Sequence, residues 1–169
     1  MAELTRRTLL AGIGALGAGA GAASAQPVAT AAPGRFSSVA VDIEILRARG
    51  AGPLGELLRA ALLQETRRAF ADRLGGPGPT LVVRITSLWL NPYAGGGSGR
   101  RGGGGGENDY LDGEALIVGR RGEIFARYPQ LSALPASSGG AWYDPESERR
   151  RIIALAQHYG WWLRRTIPG

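Results

Sequence analysis

The chain has 169 residues, with 20 basic and 14 acidic side chains and a net charge of +6, and every basic residue other than the single histidine is arginine. It has no cysteine, which excludes disulfide staples, thiolate nucleophiles, thiolate metal ligands and an acylated N-terminal Cys. One histidine and no lysine leave neither a His-based zinc site nor a Walker-type nucleotide loop within reach.

The first 25 residues read as a secretory signal. Arg6 and Arg7 stand in Thr5-Arg6-Arg7-Thr8-Leu9-Leu10, followed by an apolar stretch to Ala20 diluted with Gly and Ala. Ala23-Ser24-Ala25 supplies the small-x-small pattern of a cleavage site, with Ala23 and Ala25 as the small residues, and Gln26 is the expected new N-terminus. The apolar stretch is shorter and weaker than the about 20 apolar residues that a membrane span needs. Its start resembles the twin-arginine consensus, which implies twin-arginine export and a periplasmic or secreted product. Gly12-Ile13-Gly14-Ala15-Leu16-Gly17 matches G-x-G-x-x-G, but no strand precedes it, so it is not a dinucleotide site. Without residues 1–25, 18 arginines face 13 acidic residues over 144 residues, enough for one domain with a core.

Residues 26–36, rich in Ala and Pro, are expected to form a flexible leader, and 37–169 one α+β domain. Val39, Val41, Ile43 and Ile45 alternate with Asp42 and Glu44, the period of a half-buried strand. Pro53 to Leu74 is helical, with Leu58, Leu62, Thr66, Phe70 and Leu74 along one side and Gly75-Gly76-Pro77 ending it. Leu81 to Trp89 is dense in β-branched residues and predicts a second strand. The Gly-rich run at 94–107 has nothing to bury and is expected to be a disordered loop without a ligand. Tyr110 to Val118 and Glu123 to Tyr128 predict strands three and four around a Gly119–Gly122 hairpin turn. A loop is expected over Leu131 to Tyr143. Asp144 as N-cap and Pro145 at the first helical position then open a last helix with Ile152, Ala156, Tyr159, Leu163 and Ile167 as its apolar stripe. The fold class is α+β, a mostly antiparallel four-stranded sheet with two helices on one face, in the order β-α-β-β-β-α.

That order, over Val39 to Ile167, is similar to the topology of small envelope proteins such as the lipopolysaccharide-assembly lipoprotein and related periplasmic accessory domains. The resemblance implies a binding or assembly role, although those lipoproteins carry an acylated Cys and this chain has none.

Among chemical candidates, His158 falls beside the Tyr159 stripe and reads as a packed or surface histidine, with no G-x-S-x-G elbow to make it a triad base. Glu107, Asp109, Asp112 and Glu114 form an acidic run that reads as a solvated sheet face paired with Arg84 or Arg127; as a site it would be a carboxylate pair. The last helix begins with Arg149-Arg150-Arg151 and ends with Trp161-Trp162 and Arg164-Arg165. On a helical wheel Trp162 flanks the apolar stripe while Trp161 points away, either into solvent or against Ala141-Trp142-Tyr143. Trp161, Arg164 and Arg165 are therefore the expected interaction surface.

Three readings stay open. The first is a non-enzymatic periplasmic binding or assembly accessory, without cofactor, whose partner is an envelope protein or an anionic envelope component rather than nucleic acid. The second is a peripheral membrane-surface factor using the Arg/Trp helix, and the third a carboxylate-dependent hydrolase. Salt-sensitive vesicle binding separates the second from the first, and activity lost on Asp112→Asn marks the third.

Overall fold

Leu81, Val83 and Ile85 are fully buried while Val82 and Arg84 between them are half-exposed, and Leu111, Gly113, Ala115 and Ile117 repeat the alternation on the next strand, where Leu116 alone of the residues between them is also buried. Such alternation needs a sheet with one face covered and one face open. A computed structural model, which describes residues 34–92, 108–141 and 143–169, has that arrangement. The elements are β1 (Ser38–Asp42), α1 (Glu44–Ala48), α2 (Gly52–Ala69), β2 (Thr80–Trp89), β3 (Asn108–Val118), β4 (Ile124–Pro135) and α3 (Ser147–Thr166), with short 3₁₀ turns at Ala71–Arg73 and Ala136–Gly139.

The sheet order is β1-β2-β3-β4. β1 runs parallel to β2, with α2 in the crossover that a parallel pair requires, and the other two pairings are antiparallel. The protein is thus an α+β fold as expected, with a one-turn helix, α1, beyond the two expected. α2 contributes Leu58 and Leu62 to the core, and α3 contributes Ile152, Leu155, Ala156, Tyr159 and Leu163. Gly160 faces Glu65 of α2, and a Cβ there would stand 3.4 Å from the Glu65 backbone, in ordinary van der Waals contact. Gly113 is tighter: a Cβ would meet the Arg84 carbonyl at 2.4 Å and the Tyr159 hydroxyl at 2.9 Å.

Four expectations are corrected. The first strand stops at Asp42, whose Oδ1 accepts the Glu44 N–H at 3.0 Å and turns the chain into α1. Ile43 and Leu46 are buried three residues apart, so Ile45 faces outward rather than into the core. The leader expected to reach residue 36 ends before it: Phe36 is fully buried, its N–H bonds the Arg73 carbonyl at 2.7 Å, and its ring packs edge-on to Phe70. β4 continues to Pro135, so the loop expected from Leu131 starts five residues later. Pro129 and Pro135 lie within it because β4 is an edge strand, where a missing N–H breaks no ladder. Finally, α3 starts at Ser147 rather than Pro145. Asp144 caps the preceding turn instead, accepting the Glu146 N–H at 2.9 Å, and the Arg150 guanidinium beside it holds its carboxyl below the usual range.

Candidate functional site

The C-terminal half of α3 carries the surface that needs explaining. Tyr159 and Leu163 fill the core, and Trp161 and Trp162 both lie outside it, 52% and 42% exposed. Trp161 points away from the stripe as expected. Trp162 is not covered, and the reason lies in the sheet. Its flank of α3 overhangs β4, the edge strand, and among the described residues no fifth strand follows; it lines a shallow cleft with Pro129, Gln130, Leu131 and Thr166. The two indoles pack edge to face, centroids 4.9 Å apart. The Arg165 guanidinium stacks on both, 4.6 Å from the Trp161 centroid and 5.8 Å from that of Trp162. Ala141 and Tyr143 precede the opposite end of α3, roughly 20 Å along the axis from Trp161, so they do not cover it.

Arg164, one residue before Arg165, is spent differently. It pairs with Asp72 at 2.9 Å and lies over the Phe70 ring at 5.6 Å. Between α2 and α3 a cleft of about 300 Å³ is lined by Glu65, Arg68, Ala69, Gln157, Trp161 and Arg164. Arg68 pairs with Glu65 at its rim. Beneath, Arg73 is buried, stacked on Phe36 and Phe70, and donates to the Gly34 and Pro168 carbonyls. Burial lowers its pKa, and its bonds tie the C-terminus to the core. The expected surface residues Trp161, Arg164 and Arg165 thus lie together at one end of the helical layer, with Trp162 and Arg68 added to them.

His158 accepts the Trp162 Nε1–H at Nε2, 2.9 Å away, and burial lowers its pKa. Its free lone pair is used in holding an indole, which suits a packing histidine. The carboxylates separate into two sets. Asp112 and Glu114 face the open side of the sheet, where Asp112 accepts the Thr86 hydroxyl at 3.0 Å and Glu114 sits between Arg84 and Arg127, as expected. Asp109 does not belong to that solvated face. It is fully buried and holds Arg151 in a two-pronged ion pair, Nε to Oδ2 at 2.6 Å, while the same guanidinium donates to the Asn91 carbonyl at 2.7 Å. Arg151 is accordingly no part of an exposed basic helix start. Two signals mark the pair: Asp109 keeps the inward alternation of Leu111, and Arg151 stands four residues before buried Leu155.

Among the described residues no group of three or more His, Cys, Asp or Glu is arranged to hold a metal ion, and no helix is long and apolar enough to cross a membrane. Arg6, Arg7, Ala23, Ala25, Glu107, Trp142 and the Gly-rich run at 94–107 lie outside the described residues.

No protein-family model matches the chain, and no curated protein matches it in sequence. Among solved structures, a minor lipoprotein from Acinetobacter baumannii is similar at 12% identity and a TM-score of 0.41, over 80% of this chain and 92% of that one. A likeness that slight says nothing about what this chain does.

Proposed function

We propose that the protein is exported by a twin-arginine signal, cleaved after Ala25, and works in the periplasm or outside the cell as a non-enzymatic binding or assembly accessory. Its working surface is the C-terminal end of α3. One observation carries the reading: two adjacent tryptophans stand half-exposed and are held in place by Arg165 and His158. Exposed aromatics fixed by neighbours, rather than splayed, present ready contact area at little entropic cost. The hydrolase reading has less support, because Asp112 and Glu114 are engaged by Thr86, Arg84 and Arg127 on an open sheet face.

Cell fractionation tests both halves of the proposal. The chain should be recovered outside the cytoplasm, shortened to begin at Gln26, and Arg6→Lys with Arg7→Lys should hold it inside, because the export receptor reads guanidinium geometry. Trp161→Ala with Trp162→Ala should be exported normally yet lose association with the envelope fraction. Export of the double-lysine variant at normal levels would remove the twin-arginine route, and unchanged envelope association of the double-alanine variant would remove α3 as the working surface.

A further inference from the structure

We infer that the partner of the α3 end is an anionic lipid surface, which the protein touches through Trp161, Trp162 and Arg165; this rests on the preceding reading of α3 as the working surface. The first argument is the ring chemistry. An indole is an apolar body with one N–H, and tryptophans collect where hydrocarbon meets headgroups. Trp161 and Trp162 sit side by side at the end of a helix, exposed, with exposed Leu131 beside Trp162 on the edge strand. The two indoles pack on each other at one end of α3 with Arg165 stacked on both, so they form one contact surface, whereas Leu131, paired with Asp112, projects toward the open face of the sheet.

The second argument is charge complementarity. Arg164, Arg165 and Arg68 lie around the rings, and among the described residues Arg165 has no carboxylate within ion-pair distance. Its stacked position leaves the guanidinium edge free for a planar, two-pronged contact with a phosphate diester, the geometry for which arginine surpasses lysine. A headgroup layer offers such phosphates at the depth where the indoles would lie. A protein partner would have to supply an acidic, aromatic-accepting pocket of matching shape; a lipid surface needs none. The cleft beside Trp161, lined by Glu65, Ala69 and Gln157 and rimmed by Arg68 and Arg164, gives room for one headgroup or a short acyl segment next to the rings, with the Glu65 carboxylate already paired to Arg68.

The test uses the purified full-length chain and variants that all share its N-terminal segment. They are mixed with vesicles of phosphatidylcholine alone or with about one third phosphatidylglycerol, at low and at roughly 0.5 M salt. The parent should bind the anionic vesicles at least tenfold more tightly than the neutral ones, and high salt should remove most of that difference. Trp161→Ala with Trp162→Ala, and separately Arg165→Glu, should each weaken anionic-vesicle binding about tenfold or more. Arg121→Glu, the same charge change in the β3–β4 hairpin, should leave binding within about twofold. Circular dichroism shows that each variant is folded. Equal losses from Arg165→Glu and Arg121→Glu would overturn the inference, because net charge alone would then explain binding. If the double-alanine variant loses envelope association in cells yet binds vesicles like the parent, the lipid inference falls and the working surface stands, with a protein as its partner. If it loses neither, both fall.

Discussion

Asp109 and Arg151 show how much a single buried pair decides. Two charges taken from water are tolerated because the guanidinium meets both carboxylate oxygens and the Asn91 carbonyl, joining the segment just after β2, the start of β3 and the second turn of α3. Removing one partner leaves the other buried and uncompensated, a loss of about 3–5 kcal/mol. Asp109→Asn and Arg151→Met should each fall in that range in urea melts. Asp109→Leu combined with Arg151→Met should recover most of it, because an apolar pair of similar volume leaves no stranded charge. Gly113→Ala should also destabilise, by about 1–3 kcal/mol, since the Arg84 carbonyl and the Tyr159 hydroxyl occupy the space its methyl needs. Each of these residues carries a sequence signal, yet none could be paired from sequence. The inward parity of Asp109 and the helical phase of Arg151 are readable separately, but their meeting depends on the packing of α3 over β3.

At the scale of elements, α3 was the most legible because its apolar stripe repeats at helical spacing, and Ile152, Ala156, Tyr159 and Leu163 are all fully buried. α1 was not, because Val39, Val41, Ile43 and Ile45 fit a strand period and only the Asp42 turn breaks it. β4, the edge strand, read short because its second half puts polar Gln130 and Ser132 on the inner face and Leu131, 62% exposed, on the outer one, so its burial still alternates while the apolar pattern in the sequence does not. The same edge explains why the wheel angle of Trp162 overstated its burial. Trp162→Ala and Trp161→Ala should therefore each cost about 1 kcal/mol or less in urea melts, not the larger loss of a core aromatic. His158 adds a pH dependence. Burial lowers its folded pKa below the ordinary 6.5, so the unfolded chain takes the proton first. Its contribution is complete above about pH 6.5 and is lost as pH falls from there through the folded pKa. Protonation at Nε2 would also break the Trp162 bond. His158→Gln should flatten the fall in stability between about pH 7 and 5, where no other side-chain type titrates at its ordinary pKa.

For the whole molecule, both long helices lie on one face and leave the other uncovered, with charged pairs such as Arg84–Asp42 and Arg127–Glu114 beside exposed Trp89, Tyr110 and Leu131, so stability should reside in the helix-covered core. The connection between β2 and β3 tests this. Its two ends are fixed by the sheet itself: Trp89 pairs with Tyr110 in register, and the Asn91 N–H reaches Asp109 Oδ1 at 2.9 Å. A chain leaving Pro92 is thus already beside the strand it must rejoin at Asn108. We expect that replacing residues 93–107 with a four-residue turn leaves the fold intact. Loop-closure entropy changes only as the logarithm of length, so the shorter connection should be neutral or stabilising by about 1 kcal/mol. The melting temperature should stay within a few degrees of the parent or rise. A larger fall would mean that the segment contributes packing which the Trp89–Tyr110 and Asn91–Asp109 contacts do not supply.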